Sequence, residues 1–313
     1  MKSINVKHII KNYGLVIVFF IICIALSILS PYFLSITNIM NVIRQTSIYG
    51  ILAVGMTFVI LTGGIDLSIG SILAVSGVIC AGLLKSGASI PLAVFAAIIV
   101  GGGFGLLNGF IITAGKITPF VATLGMMVIA RGLALIYCNG YPISGFSGAF
   151  RKIGSAYVLG IPVPVIILIF TVAIAWFVLT QTRLGRYTYA IGGNEETVKL
   201  SGINASFYKM LTYVIMGITA GISAVILTAR LNAAEAIAGT GYELDVIAAV
   251  VIGGTSLSGG SGSVIGTLVG ALLIGVINNG MNLLGISPYF QLVVKGILII
   301  GAVLLDRLRD EPA

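Results

Sequence analysis

Charge is what this 313-residue sequence has least of: 8% of its residues are Asp, Glu, Lys or Arg, where soluble domains carry about a quarter. Its one histidine, His8, stands apart from its three cysteines, Cys23, Cys80 and Cys138. The cysteines fall in separate hydrophobic runs, so neither a metal cluster nor a disulfide framework can be assembled, and they read as packing residues. With nine acidic side chains and a single histidine near one end, the material for an acid–base or nucleophile constellation is thin, which argues against a membrane-embedded enzyme. A Gly-x-x-x-x-Gly-Lys-Ser/Thr phosphate loop is also missing. The stretch GGTSLSGGSG at 253–262 is glycine-rich but has no lysine, so no cofactor is expected on this chain and any ATP must be bound elsewhere.

What is present is apolar. The chain is 58% hydrophobic with 42 glycines and a mean hydropathy of +1.15, which reads as a polytopic membrane protein rich in close helix approaches. The net charge of +8 does not signal nucleic-acid binding, because the basic residues are scattered among apolar runs and form no stripe. A first run near 14–34 follows Lys2, Lys7 and Lys11 like a signal peptide, but is too long for a signal core and reads as an uncleaved span. Further runs near 46–62, 67–84, 91–113, 118–138, 162–180, 208–229, 244–258, 263–284 and 289–305 bring the expectation to about ten transmembrane helices in an all-α bundle. The run at 244–258 is short and glycine-bounded, so 244–284 is either two spans or a re-entrant pair. With the N-terminus inside, Lys2, Lys7, Lys11, Lys116, Arg183, Arg186, Lys199, Lys209, Arg307 and Arg309 face the cytoplasm. Only Arg44, Lys85, Arg151, Lys152 and Arg230 then face out, which favours N-in and C-in. Arg131 and Lys295 fall inside spans, Arg131 facing the bundle interior and Lys295 snorkelling or meeting a backbone carbonyl.

Between two long apolar runs lies a polar island, TRLGRYTYAIGGNEETVKLSGI at 182–203. Asn194 is placed to cap a short helix whose first turn carries Glu195 and Glu196 and whose end carries Lys199, with Gly202 as the stop. Such a knob in the cytoplasm is built to meet a soluble partner. Of the outer segments, 139–161 is either a plain loop or a docking surface for an external protein. In 230–245, Glu235, Glu243 and Asp245 either cap the next span, meet basic residues on a partner or line a pathway mouth.

Two octapeptides, GGIDLSIG at 63–70 and GGTSLSGG at 253–260, share Gly-Gly-x-x-Leu-Ser-x-Gly. This suggests a parallel pseudo-repeat. Glycine pairs break or bend helices, and broken backbone in a membrane is tolerated only where protein or water covers it, so both points are expected to mark a pathway or gate. The pathway and hinge candidates are Gly63, Gly64, Asp66, Ser68, Arg131, Gly253, Gly254 and Ser258. Asp66 either caps a helix whose first turn is Leu67-Ser68-Ile69 or lines the pathway.

The polar island, GGIDLSIG, TPFVATLG at 118–125, GTGYELDVIAAVVIGGTSLSGG at 239–260 and NNGMNLLGISPYFQ at 278–291 resemble the membrane-spanning permease subunits of binding-protein-dependent ATP-driven (ABC) sugar importers, the ribose permeases in particular. In such importers a Glu-Ala-Ala-x-x-x-Gly loop docks into the ATPase. Glu196 and Gly202 keep that spacing, while Thr197 and Val198 replace the alanines. The resemblance implies one transmembrane permease domain over 1–313, akin to type II ABC importers, in the bacterial cytoplasmic membrane. It carries a cytoplasmic coupling loop, 181–207, in which Arg186, Asn194, Glu195, Glu196, Lys199, Ser201 and Gly202 contact the ATPase. It further implies an ATPase subunit, an extracytoplasmic sugar-binding protein and a second permease copy as partners, with membrane lipid around and no nucleic acid. The competing reading is an ion-coupled secondary transporter using Asp66 or Arg131.

Overall fold

The computed structural model describes residues 6–310; of 6–13, 302 and 305–310 it describes the helical backbone only. Lys2 therefore lies outside the described residues, as do the side chains of Lys7, Lys11, Arg307 and Arg309. The chain runs through α1 (Val6–Leu29), α2 (Ile36–Leu61), α3 (Ile69–Lys85), α4 (Ile90–Thr113) and α5 (Pro119–Cys138). A small cap follows, made of β1 (Ile143–Ser144), α6 (Gly148–Ser155), β2 (Tyr157–Val158) and β3 (Ile161–Pro162). Then come α7 (Val163–Gln181), α8 (Arg183–Gly193), α9 (Glu195–Leu200), α10 (Ala205–Leu231), β4 (Ala233–Ala234), α11 (Tyr242–Ile252), α12 (Val264–Leu283) and α13 (Pro288–Asp310).

Each of the ten apolar runs is helical. Among the described residues six helices are long and apolar enough to cross a membrane: α2, α4, α5, α7, α10 and α12. α3 has 17 residues, and α11 has 11, about 16 Å of rise against a hydrocarbon core of roughly 30 Å.

α2 is the axis of the bundle. From Thr46 to Leu61 every residue is buried, enclosed by α7, α10, α11 and α12. In lipid, apolar surface alone does not drive helices together, so close packing must do it. The seam between α4 and α10 shows how. Gly101, Gly105 and Gly109, one turn apart on α4, lie against Gly217, Tyr213 and Met210 of antiparallel α10. A β-carbon on Gly101 would overlap the Gly217 carbonyl, one on Gly105 the Tyr213 carbonyl, and one on Gly109 would sit 2.8 Å from the Met210 Cα. A second seam joins α11 to α12, where Gly253 meets Gly266 and Gly270 meets the Ala249 carbonyl.

The end of α10 remote from α8 and α9 is closed by the cap. β1 pairs with β4 in register Ile143 to Ala234, and β2 pairs with β3 as a hairpin. Segment 139–161 is thus not plain loop: Ser147 caps α6 by accepting the Phe150 N–H, and Phe150 is fully buried.

Candidate functional site

The polar island folds as two helices where one was expected. Thr182 begins α8 by accepting the Gly185 N–H at 3.4 Å. Asn194 ends α8 and caps α9, its Oδ1 accepting the Thr197 N–H at 2.9 Å. α9 stops as expected. The Gly202 N–H donates to the Lys199 carbonyl and the Ile203 N–H to the Val198 carbonyl, with Gly202 at φ +77°.

Of the two acidic residues in its first turn, Glu195 is engaged inwards. Its carboxylate meets Lys199 at 2.7 Å and Lys209 of α10 at 2.9 Å. The hydrogen bond from Lys199 holds Glu195 below the usual carboxylate range; partial burial works against it, and Lys209 adds to it. Val198 plugs α9 into a cluster with Ile191 of α8 and Ala205 of α10. The surface left to a partner carries Arg186, Glu196, Ser201 and Leu200, the last 90% exposed and absent from the residues picked out by sequence. Ser201 also donates to the Thr197 carbonyl at 2.9 Å.

The two glycine motifs are built from the same parts, with the helix stop one residue out of step between them. α2 ends with the Gly63 N–H on the Ile60 carbonyl and the Gly64 N–H on the Val59 carbonyl. α11 ends with the Gly254 N–H on the Val251 carbonyl and the Thr255 N–H on the Val250 carbonyl. These are the same helix stop, with the left-handed residue at Gly63, φ +70°, in one and at Gly254, φ +91°, in the other. A side-chain turn follows each. Asp66 Oδ1 accepts the Ser68 N–H at 2.8 Å, and Ser256 Oγ accepts the Ser258 N–H at 3.3 Å.

Asp66 is not the N-cap of the next helix, because α3 begins at Ile69 behind Ser68. It is fully buried, as is Ser68. Its carboxylate also accepts the Ser68 hydroxyl at 2.5 Å and the Asn108 amide at 3.3 Å. Asn108 in turn donates to Ser68 Oγ at 2.8 Å. Asn108 was not singled out by sequence. Its signal was a lone amide within an otherwise apolar run.

Arg131 faces inwards as expected, donating to the carbonyls of Ala236 and, at 2.9 Å, Ala238. It thereby satisfies backbone that leaves β4 without helical partners. Lys295 departs from its expectation: it neither snorkels nor meets a carbonyl, but pairs at 2.7 Å with Asp245, which is 2% exposed. An unpaired charge at the buried Asp245 of α11 would be costly, and the partly exposed Lys295 of α13 compensates it. Gly253 packs on Gly266, whereas Gly63, Gly254 and Ser258 are exposed near the α8 end.

That closeness is the main feature the sequence hid. Gly192 and Gly193, the last turn of α8, lie against the end of α2 just before the first motif and against Gly259 and Gly260 of the second. A β-carbon on Gly192 would overlap the Leu61 carbonyl and the Gly260 amide. Gly259 lies against Gly63 and Gly192, Gly260 lies against Gly193, and the Gly260 N–H donates to the Leu61 carbonyl at 3.0 Å. Tyr189 of α8 donates its hydroxyl to the Gly262 carbonyl at 2.9 Å.

Residues 38–303 match the family described as branched-chain amino acid transport system / permease component. The chain is 50% identical to the ribose import permease of Bacillus subtilis over 98% of this chain and 96% of that one. It is 48% identical to the ribose import permease of Escherichia coli K12 over 90% and 88%, and 43% identical to the D-allose transport system permease of the same organism over 98% and 95%. No solved structure matches. The chain belongs to this family of membrane transport permeases, as a permease component and not an enzyme, and the likeness to ribose permeases read from its motifs holds.

Proposed function

We propose that this chain is the membrane-spanning permease subunit of an ABC importer that carries a monosaccharide, a ribose-like pentose, across the bacterial cytoplasmic membrane. The observation that carries this reading is the 50% identity to a ribose import permease over 98% of the chain. A D-allose permease at 43% supports monosaccharide as the wider class. Nothing in these likenesses favours an ion-coupled transporter, and the two residues that reading would use, Asp66 and Arg131, are taken up by neighbouring hydrogen-bond partners.

The finer reading is one permease domain over 1–313 of type II importer form, with about ten spans, an internal pseudo-repeat and both termini in the cytoplasm. Its partners are an ATPase subunit at the 181–207 loop, an extracytoplasmic sugar-binding protein and a second copy of this chain. Ten apolar runs that are all helical support the span count, and the shared helix stop and side-chain turn of the two glycine motifs support the repeat. Closure of the ATPase pair on ATP moves α9, and α9 moves α10 with it through the buried cluster of Val198 with Ile191 and Ala205. ATP thus favours one of two states of the bundle and hydrolysis the other. Gly63, Gly64, Asp66, Ser68, Gly253, Gly254 and Ser258 mark the hinges.

The test is uptake of ribose into proteoliposomes holding this chain, its ATPase and its binding protein. Uptake should survive an ionophore and stop when ATP is withdrawn. Uptake that follows an ion gradient without ATP would overturn the assignment.

A further inference from the structure

Resting on that reading, we propose that Tyr189, Gly192 and Gly193 are positioning residues for transport: they fix the α8–α9 knob to both glycine motifs, so that one displacement of the knob reaches the two halves of the chain together. Three separate stretches end at one point, the last turn of α2 with Gly63, the 259–260 glycines and the end of α8. They touch through backbone, with no side chain between them.

A contact of this kind differs from side-chain packing. A side chain can swing to absorb a shift of an ångström, whereas carbonyl, amide and Cα atoms in direct contact cannot. The Gly260 N–H on the Leu61 carbonyl, at 3.0 Å, ties motif to motif, and the Tyr189 hydroxyl on the Gly262 carbonyl, at 2.9 Å, ties α8 to the second motif. Gly259 at φ +87° and Gly260 at φ +74° occupy backbone angles that side chains disfavour, and their missing β-carbons make room for α8. Gly192 stands in the last turn of α8. Its place is explained by the Leu61 carbonyl that any β-carbon would strike. Only two steps along the chain, Asn194 caps α9. The joint and the knob are therefore one rigid piece.

The experiment compares Tyr189→Phe, Gly192→Ala and Gly192→Val with the parent chain in complex with the ATPase and the sugar-binding protein, using ribose. Three quantities are read: capture of the ATPase by the tagged permease, ATP hydrolysis stimulated by the loaded binding protein, and ATP hydrolysed per ribose taken up. Tyr189→Phe removes one hydrogen bond and keeps the ring. Uptake per inserted molecule should fall about threefold to tenfold, the factor one such bond carries, while capture stays at the parental level and ATP per ribose rises. Gly192→Val should lower uptake further, with Gly192→Ala between the two. Should Gly192→Val fail to insert, Tyr189→Phe still decides the matter. Loss of capture in proportion to uptake would mean that the joint only shapes the knob, and would overturn the proposal. So would parental uptake and coupling in both Tyr189→Phe and Gly192→Ala. A parent complex without ATP-dependent uptake would instead refute the importer reading itself, and the inference with it.

Discussion

The two glycine motifs share a plan and differ in what secures it. Around 63–70 the lock is made of side chains: Asp66, Ser68 and Asn108 hydrogen-bond one another in a fully buried cluster, and Tyr213 donates to the Ile65 carbonyl at 3.4 Å. Around 253–260 backbone packs on backbone, at Gly266 on one side and at Gly192 and Gly193 on the other. The helix stop and the side-chain turn recur in both. The two stretches therefore share a helix stop and a side-chain turn, the stop one residue out of step, while the contacts that fix them differ.

The largest effect should come from attacking the side-chain lock. Asp66→Ala strands the Ser68 N–H, the Ser68 hydroxyl and the Asn108 amide, and should destabilise the bundle by about 3 kcal/mol, at roughly 1 per buried donor. The counterpart Ser256→Ala should cost less, because the backbone contacts of this motif with Gly266, Gly192 and Gly193 stay in place. Thermal unfolding of both variants in detergent measures the difference, and equal midpoints would erase the contrast.

Next comes the glycine pair itself. Gly64→Leu puts its β-carbon 2.6 Å from the Tyr213 hydroxyl, while Gly254→Leu meets the left-handed penalty of about 1–2 kcal/mol. Both should lower uptake, Gly64→Leu more. Equal damage from Gly254→Leu would put the two motifs on the same footing.

Asp66→Asn should be mild. Its amide oxygen keeps the Ser68 N–H, and its amide nitrogen can turn to the Asn108 Oδ1, a buried acceptor with no hydrogen-bond partner. Stability within about 1 kcal/mol and uptake within about twofold of the parent are expected. A severe loss of uptake in a stable protein would give the charge a role in the pathway.

Smallest of all is Glu195→Gln, which removes a partly exposed pair of ion pairs worth a few tenths of a kcal/mol. Glu195 has its carboxyl lowered on folding, so its contribution is present above the unfolded pKa and is lost as pH falls through the folded one. Acid should loosen α9 in the parent and leave the Gln variant unchanged. Hydrogen exchange of the α9 amides across that range would reveal it.

The reach of the sequence follows from the range of the forces involved. Helix positions, the Asn194 cap and the Gly202 stop were legible because apolar length and capping act within a few residues. The α8 helix was hidden in a polar stretch, and α6 in a glycine-rich one, because neither has a long apolar run. Lys295 was misread because its partner lies 50 residues away on another helix. The joint at Gly192 was invisible for the same reason: nothing in a Gly-Gly pair says which carbonyl will press against it.

The seam of α4 on α10 has a mechanical consequence. Glycines one turn apart on one helix receive the backbone of the other, so the pair is indexed like a toothed rack. Sliding by less than a tooth drives Cα atoms into carbonyls, and the next allowed setting lies about 5.4 Å away. A rack so indexed moves as one body. Whatever shifts α10 carries α4 with it, and the shear is left to helices whose contacts are side chains.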